Sequence, residues 1–380
     1  MTNPGPERTP AKPMGRLSGR RRVAITCLTL VLGLLGACQP KHQVNIYNWA
    51  DFIGSNTVAE FERRTGIRVV YDTYDSEETA ETRLMAGGSD YDVVVSSSEF
   101  FSRSIKAGVY EPLDKRLLPN WSNLDPHALA ILAKADPGNA HAIPYLHSIN
   151  GFAYNVDEIR ARMPDAPVDS LDMIFDPKVI ARFADCGVTF LDSPADMLPL
   201  ALNYLHLDPN STRPADYAAA EQLLKRVRPY VRTFDSSAYL NGLANAEQCI
   251  GVGWSSDYAV AMARARAAGI AVNLAFTVPR EGANRSYSAL LIPAGAPHRR
   301  EAYAFLNFLL EPQVIADVTN EIYYGNDNAA ARAYVRKQIL DDRTLYPDAA
   351  MEARLYPGNE ASPELDRLRT RTWTRIKTNR

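Results

Sequence analysis

The chain has 380 residues, 46% of them hydrophobic and 23% charged, with a formal net charge of −2. This composition excludes a disordered chain and a multi-pass membrane protein, and the length suits two domains of ordinary size. Residues 1–37 contain six basic residues and one acidic residue, so the remaining chain carries a net charge of −7. An acidic body argues against nucleic acid as a partner and favours cationic partners.

Residues 1–37 have the pattern of an export signal. Three arginines precede an apolar run at residues 23–37, which is too short to span a bilayer comfortably. The run ends in Leu-Gly-Ala-Cys38, which resembles the lipobox of bacterial lipoproteins, where the cysteine is acylated and becomes the mature N-terminus. An ordinary export signal with an incidental Cys38 is the alternative, and Met14 is an alternative translation start. Residues 38–43 would form a polar tether.

Strands and helices alternate in the next part of the chain. We predict strands at 44–48, 67–71 and 92–96, and helices at 55–65, 76–85 and 99–106. Ser76 is a suitable N-cap for the second helix, and Gly66 and Gly108 follow the ends of the first and third. This alternation within 65 residues predicts βαβ crossovers and a parallel sheet.

A second α/β unit is predicted after residue 186. We expect strands at 187–192, 249–254, 272–276 and 287–292, and helices at 194–204, 214–228, 256–268, 299–310 and 312–320. Ser193 and Pro194 fit an N-cap and a first-turn proline, and Ser255 fits an N-cap for the helix at 256–268. Two further strands, at 141–145 and 151–155, are predicted to leave the first unit.

Two cysteines remain in the body of the chain once the export signal is set aside. Cys27 lies within the signal and Cys38 at its end, which leaves Cys186 and Cys249. Two such cysteines in an oxidising compartment usually pair, and two buried free thiols are the alternative. No spacing of Cys and His residues suggests zinc, since the six histidines are scattered.

No local motif points to catalysis. The sequence lacks a GxSxG elbow, an HExxH pair and a Walker A loop, and Gly251-Val252-Gly253 lacks the third glycine of a dinucleotide fingerprint. We therefore do not expect an enzyme, a cofactor or a metal ion.

Serines, carboxylates and aromatic rings recur at the ends of predicted strands. They occur at residues 49–52, 96–100, 192–196, 254–258, 287–288 and 323–324. Each set alone is compatible with a helix cap and ordinary aromatic packing. Together they place carboxylates and rings at sheet edges in both units, as a cleft between two α/β lobes requires. Ring faces attract organic cations and carboxylates neutralise them.

The sequence resembles the periplasmic substrate-binding proteins of polyamine ABC transporters, most closely the putrescine-binding branch, from about residue 44 to the tail. The resemblance rests on IYNW (46–49), ERRTGI (62–67), LMAG (84–87), LDP (124–126), GFAYNVD (151–157), CGVTFLD (186–192), AYAFLN (302–307) and RTRTWT (369–374). It implies the α/β fold of a type II periplasmic binding protein, in which two hinged lobes, each a mainly parallel sheet flanked by helices, close on an extended polyamine. It also implies a disulfide between Cys186 and Cys249. The expected lobes are 44–143 with about 276–325, and 144–275 with about 326–380.

The resemblance also implies a ligand site. Carried over position by position, the contacts would come from Trp49, Asp51, Ser97, Asp196, Trp254, Asp257 and Tyr324. A diammonium chain is charged at both ends and apolar between them, so it requires carboxylates at its ends and aromatic walls along its methylenes. Asp196 stands where the family has a glutamate, which is one methylene longer.

Other positions depart from the family pattern. At 286–288 the chain reads Ser-Tyr-Ser where putrescine binders have two aromatic residues and an aspartate, and Ala50 and Phe52 replace a serine and a tyrosine. Glu99 replaces a small serine, and it either adds a negative charge to the cleft or only begins its helix, where an acid is favoured. We add three candidate contacts: Glu99, Tyr287 and Ser288. The pocket is expected to stay cation-selective but reshaped, for putrescine, spermidine, cadaverine, agmatine or another cation.

We therefore predict an extracytoplasmic solute-binding protein that captures a polyamine and delivers it to an inner-membrane ABC permease. It would be a monomer in the periplasm of a Gram-negative bacterium, anchored by a lipid on Cys38. A ferric-ion binder of the same architecture competes with this prediction, because Tyr323-Tyr324 resembles the tyrosine pair of such proteins. A polyamine-sensing lipoprotein without a transport role is also compatible with the sequence, and a secreted hydrolase is the least favoured class.

Overall fold

The computed structural model describes residues 42–50, 52–74, 76–87, 90–358 and 360–378, so the predicted signal, Cys38 and Asp51 lie outside the described residues. The strands are β1 (Gln43–Trp49), β2 (Arg68–Tyr74), β3 (Val93–Ser97), β4 (Ile143–Asn155), β5 (Val188–Phe190), β6 (Thr233–Phe234), β7 (Ile250–Trp254), β8 (Leu274–Thr277), β9 (Ala283–Leu291), β10 (Gly325–Asn326) and β11 (Leu355–Pro357). The helices are α1 (Thr57–Thr65), α2 (Glu77–Met85), α3 (Ser98–Lys106), α4 (Pro126–Leu132), α5 (Val156–Arg162), α6 (Asp172–Phe175), α7 (Pro177–Ile180), α8 (Pro194–Tyr204), α9 (Pro214–Val227), α10 (Tyr239–Ala244), α11 (Ser255–Ala267), α12 (Arg299–Leu309), α13 (Pro312–Ile322), α14 (Lys337–Leu340), α15 (Ala349–Glu352) and α16 (Pro363–Thr378). Short 3₁₀ helices occur at Lys115–Leu117, Pro119–Asn123, Pro137–Asn139, Ala181–Phe183, Arg228–Tyr230 and Ala329–Ala333. Among the helices of the described residues, none is long and apolar enough to cross a bilayer.

The strands form one continuous sheet with two parallel parts. The path is β2-β1-β3-β9-β4-β7-β5-β6, with β8 and β10 paired to β4 and β11 paired to β9. β1 is parallel to β2 and β3, and β5 is parallel to β6 and β7, which confirms the predicted α/β units. β4 and β9 run antiparallel to each other and to their outer neighbours, so these two strands join the two parts.

The prediction of separate strands at 141–145 and 151–155 was wrong, because β4 is one continuous strand of 13 residues. Its first half pairs with β9 and β10, and its second half pairs with β7 and β8. Gly151 looks like a break in the sequence, but it serves a close approach: a Cβ there would overlap the carbonyl oxygen of Thr277 and the ring of Phe276. β4 therefore belongs to both parts of the sheet.

Two large hydrophobic cores flank β4 and β9, which we call the crossing strands because they join the two parts of the sheet. The first-unit core contains Ile46, Phe61, Val95, Leu146 and Phe305, and the second-unit core contains Phe152, Phe190, Leu198, Tyr217 and Val252. β4 contributes Leu146 to one core and Phe152 to the other. Four residues from the part of the chain expected in the second lobe pack in the first-unit core: Ala331, Val335, Ile339 and Leu345. The predicted lobe boundaries stay a prediction.

A disulfide joins Cys186 and Cys249, with 5.5 Å between their Cα atoms, as predicted. The two residues precede β5 and β7, which are neighbouring parallel strands. The bond closes a sequence separation of 63 residues, for which the chain-entropy model gives a stabilisation of about 4 kcal/mol. It therefore links the starts of two neighbouring strands of the second-unit sheet.

Candidate ligand-binding site

Asp257 lies where β7 ends and α11 begins, and its carboxylate is buried. The helix starts at Ser255 with Trp254 as its N-cap, one residue earlier than predicted, which places Asp257 in the first turn. The carboxylate accepts hydrogen bonds from the Trp254 backbone N–H at 3.4 Å, from the Tyr324 hydroxyl at 3.4 Å and from the Tyr239 hydroxyl. Burial raises the pKa of Asp257 to about 6, although these hydrogen bonds act to lower it. A cation beside this carboxylate would compensate the cost of its burial.

Aromatic rings lie on the side of the first-unit core, and one of them, Tyr324, contacts this carboxylate. Tyr324 packs edge-on against Phe52, with 4.7 Å between the ring centroids. Trp49, at the end of β1, lies against Tyr74 with 4.6 Å between centroids. The structure thus places the rings of Trp49, Phe52 and Tyr324 at the edge of the first-unit core.

The two adjacent tyrosines of the ferric-ion hypothesis face different partners. α13 ends at Tyr323, whose positive φ of 61° turns the chain. The Tyr323 ring lies 5.3 Å from the Arg336 guanidinium, whereas the Tyr324 hydroxyl reaches Asp257. The two phenols are therefore not directed at one ion. In the described part of the chain, no group of three or more His, Cys, Asp or Glu side chains could hold a metal ion.

Asp196 forms a second acidic position, in the first turn of α8. Ser193 caps this helix as predicted and accepts a hydrogen bond from the Asp196 backbone N–H at 3.3 Å. The Asp196 Oδ1 accepts from the Asn150 amide at 2.7 Å. Burial raises the pKa of Asp196, against the hydrogen bonds from Ser193 and Asn150. Asn150 lies directly opposite Trp254 on neighbouring strands, so the Asp196 and Asp257 positions flank one pair of strands.

Glu99 is half-buried near Asp196. Its Oε2 accepts a hydrogen bond from the Ser98 hydroxyl at 3.1 Å, and its Oε1 has no hydrogen-bond partner among the described residues. A Cβ at Gly358 would overlap the Glu99 carboxyl group, so the glycine leaves the space that this side chain occupies. Burial raises the pKa of Glu99, and the negative charge of Asp196 raises it further. Glu99 therefore lies in the first turn of α3, and its Oε1 atom can also accept a hydrogen bond from a ligand.

Three polar residues that the sequence did not indicate lie beside these carboxylates. Asn284 on β9 pairs with Tyr356 on β11. Ile149 on β4 pairs with Arg285 on β9, and Asn150 is the next residue of β4. Within the described chain, the Oδ1 atoms of Asn150 and Asn284 and the hydroxyl of Tyr356 are buried without a hydrogen-bond partner. Burial raises the pKa of Tyr356, and the Asp196 charge contributes. This row offers mainly acceptors, which suits a ligand that carries N–H donors.

Ser97 ends β3, and its hydroxyl is already engaged by Glu77. The Ser97 hydroxyl and backbone N–H both donate to the Glu77 carboxylate, the latter at 2.6 Å, and the Ser96 hydroxyl donates at 2.9 Å. Burial raises the pKa of Glu77 to about 7, against these hydrogen bonds. The sequence predicted only a helix at 76–85, so the role of this buried carboxylate in holding the end of β3 was missed.

Ser288 and Tyr287 lie on opposite faces of β9. Ser288 pairs with Ser97, and paired residues share a face of the sheet. Tyr287 is the next residue and points to the other face, where the Arg285 guanidinium lies 4.9 Å from its ring centroid. The structure therefore brings Ser288 to the side of Ser97 and does not bring Tyr287 there.

An α/β sheet with two cores, and with carboxylates and rings gathered beside the strands that join them, has the architecture of a periplasmic-type binding protein. The chain belongs to the bacterial extracellular solute-binding protein family, whose sequence profile matches residues 56–340. Membership of this family places the protein outside the cytoplasm and confirms the resemblance noted from the sequence.

Relatives of known name agree with this assignment. The chain is similar to the putrescine-binding periplasmic protein PotF of Escherichia coli, with 43% identity over 94% of this chain and 97% of the relative. It is similar to the putrescine-binding periplasmic protein SpuD of Pseudomonas aeruginosa, with 42% identity over 95% of this chain and 99% of the relative. Among solved structures, one from Listeria monocytogenes assigned to a spermidine/putrescine ABC transporter has a TM-score of 0.80 and 27% identity, covering 90% of this chain and all of the other. These relatives are solute-binding proteins rather than enzymes.

Proposed function

We propose that the protein binds a polyamine in the cleft beside β4, β7 and β9 and delivers it to an ABC permease. The observation that carries the proposal is the set of three carboxylates with raised pKa values, the buried Asp257 and the half-buried Asp196 and Glu99, next to aromatic rings. Ionised carboxylates are costly to bury without partners, so the site is arranged for cations. The names of the relatives, which include putrescine, agmatine and cadaverine binders, support the same class of ligand.

The two acidic positions would take the two ends of the ligand. One ammonium group would lie at Asp257, between Tyr324 and Trp254. The other would lie at Asp196 and Glu99, where the free amide oxygens of Asn150 and Asn284 offer further acceptors. Trp49 would cover the methylene chain, since ring faces bind both alkyl groups and cations. Asp51 and Ser97 stay predicted contacts, Ser97 with its hydroxyl held by Glu77.

We further propose that the two cores are the cores of two lobes that close on the ligand. Asp257 and Asp196 belong to helices of the second-unit core, whereas Trp49 and Tyr324 pack on the first-unit core. A ligand that contacts both sets favours the closed arrangement, because its free energy of binding is gained only there. The lobes would rotate about the crossing strands β4 and β9.

Titration calorimetry with putrescine, cadaverine, spermidine and agmatine tests the proposal. Ser288 provides no carboxylate where putrescine binders have one, and Glu99 adds one elsewhere, so the order of affinities is expected to differ from that of a putrescine specialist. We expect at least one of the four to bind in the micromolar range or tighter. The absence of heat with all four would exclude the polyamine proposal.

The membrane anchor is a separate proposal. Lipidation of Cys38 would tether the binding protein near its permease, and two acyl chains suffice for stable attachment. Mass spectrometry of the mature N-terminus from the membrane fraction would detect a lipid-modified Cys38. A soluble mature protein with an unmodified N-terminus would show an ordinary export signal instead.

A further inference from the structure

A second cavity, of about 350 Å³, lies beside the crossing strands and is separate from the proposed polyamine cleft. Arg285 and Tyr287 of β9 line it, so it occupies the face of β9 opposite to Ser286 and Ser288. His147 of β4 and Asp327, just after β10, complete this wall. The volume lies at the lower end of the range for small-molecule sites.

Three residues that line this cavity each have one buried polar atom without a hydrogen-bond partner within the described chain. These atoms are Arg285 Nε, the Tyr287 hydroxyl and Asp327 Oδ2. The residues are buried, with exposed fractions of 7%, 2% and 4% respectively. Buried polar groups are nearly always paired, so three in one cavity indicate a place for a polar molecule. They supply one donor, one acceptor and one hydroxyl that can act as either.

The surrounding contacts fix these groups in position. The Arg285 guanidinium forms an ion pair with Glu352 and lies 4.9 Å from the Tyr287 ring centroid. Asp327 Oδ1 is 2.7 Å from His147 Nδ1, and the His147 ring centroid is 6.0 Å from that of Tyr287. Arg285, Tyr287 and Asp327 therefore belong to one connected group of side chains, which His147 links, along the cavity.

Charged groups of both signs surround the cavity. His147 Nδ1 lies 2.7 Å from the Asp327 carboxylate, and its Nε2 lies 2.9 Å from the Leu345 carbonyl oxygen. The lining carries three carboxylates, from Asp125, Asp327 and Glu352, and two guanidinium groups, from Arg285 and Arg332. This mixed lining differs from the acidic cleft, and it suits a ligand that carries charges of both signs.

We propose that this cavity is a second binding site, for a small zwitterion of the α-amino-acid class. The carboxylate of the ligand would accept from Arg285 Nε and from the Tyr287 hydroxyl, and its ammonium group would donate to Asp327 Oδ2. Such a ligand offers a partner to each of the three unpaired atoms, and its two charges meet lining groups of opposite sign. The site goes beyond polyamine binding and does not depend on it.

The test uses the full mature protein and titrates it with each proteinogenic α-amino acid whose side chain is uncharged. The strongest binder is then compared with two charged analogues: its amide, which is a cation, and the corresponding acid without the amino group, which is an anion. We expect the amino acid to bind at least tenfold more tightly than either charged analogue. No binding of any amino acid at millimolar concentrations would overturn the proposal, and the cavity would then hold water only.

Two neighbouring variants separate this site from the cleft. Tyr287→Phe removes one unpaired hydroxyl and keeps the ring, and it is expected to weaken amino-acid binding about tenfold or more. Ser288→Ala, on the opposite face of β9, should leave amino-acid binding within twofold of wild type. An unchanged amino-acid affinity in Tyr287→Phe, or an equal loss for putrescine, would contradict the proposal. Circular dichroism and urea unfolding of the same samples verify folding, so this proposal and the polyamine proposal can fail independently.

Discussion

Replacing Asp257 by asparagine should sharply weaken polyamine binding. The residue is 6% exposed, and its carboxylate would lie against one ammonium group of the ligand. Removing one member of a buried charge pair costs about 2–5 kcal/mol, or roughly 30-fold to several thousand-fold in Kd. Trp49→Ala removes a half-buried wall and a cation–π contact, for which about 1–2 kcal/mol is expected. Asp257→Asn should therefore cost more affinity than Trp49→Ala.

The same substitution should stabilise the unliganded protein. Burial raises the pKa of Asp257 from 3.8 to about 6, so at neutral pH the ionised form destabilises the fold by about 3 kcal/mol relative to the neutral form. Asparagine is always neutral, but its amide leaves one hydroxyl donor, from Tyr239 or Tyr324, without an acceptor, at a cost of about 1 kcal/mol. The net gain in the free energy of unfolding is expected to be about 1–2 kcal/mol.

Both quantities can be measured on one sample. Calorimetric titration at pH 7 gives the loss of affinity, and urea unfolding without ligand gives the change in stability. Asp169→Asn is a matched control, because Asp169 has a side chain that is 68% exposed and makes only a surface ion pair. An Asp257→Asn variant that binds polyamine as tightly as wild type would refute the placement of the site.

Three further outcomes are expected. Glu99→Ser, which restores the family residue, should weaken the preferred ligand at least tenfold in calorimetry while putrescine changes less; equal changes would contradict a role in selectivity. Polyamine affinity should fall as the pH drops through about 6, because protonation removes the Asp257 charge. The unliganded protein should lose stability as the pH rises from the ordinary pKa of 3.8 to the raised pKa of about 6, and a titration series from pH 4 to 8 checks both signs. Replacing Cys186 and Cys249 together by serine should lower the free energy of unfolding by about 4 kcal/mol, and an unchanged urea midpoint would contradict this.

Much of the fold follows from local sequence pattern. The alternation of strands and helices before residue 108 predicted the parallel arrangement of β1, β2 and β3, and Ser193-Pro194 predicted the start of α8. Local rules failed at β4. Glycine is common in turns, so Gly151 suggested a break, whereas in the sheet it allows a close approach of Thr277 and Phe276. Only long-range pairing with β7, β8 and β9 makes this segment one strand.

The candidate site was predictable only in part. Trp254 and Asp257 lie together because they flank one helix start, which the sequence shows directly. Asn284 and Tyr356 meet through strand register across some 70 residues of chain, so no local pattern could indicate them. Tyr287 is different, since the alternation Ser286-Tyr287-Ser288 within a strand already predicts that the tyrosine faces away from both serines.

The hydrogen bond between Tyr324 and Asp257 has a kinetic consequence. Tyr324 packs on the first-unit core and Asp257 begins a helix of the second-unit core, so this contact joins the two halves. If the ammonium group binds at Asp257 as proposed, it competes with this phenol for the carboxylate. Binding rates in stopped flow should rise with polyamine concentration only up to a plateau, whose height is the opening rate of the protein. Tyr324→Phe should raise that plateau.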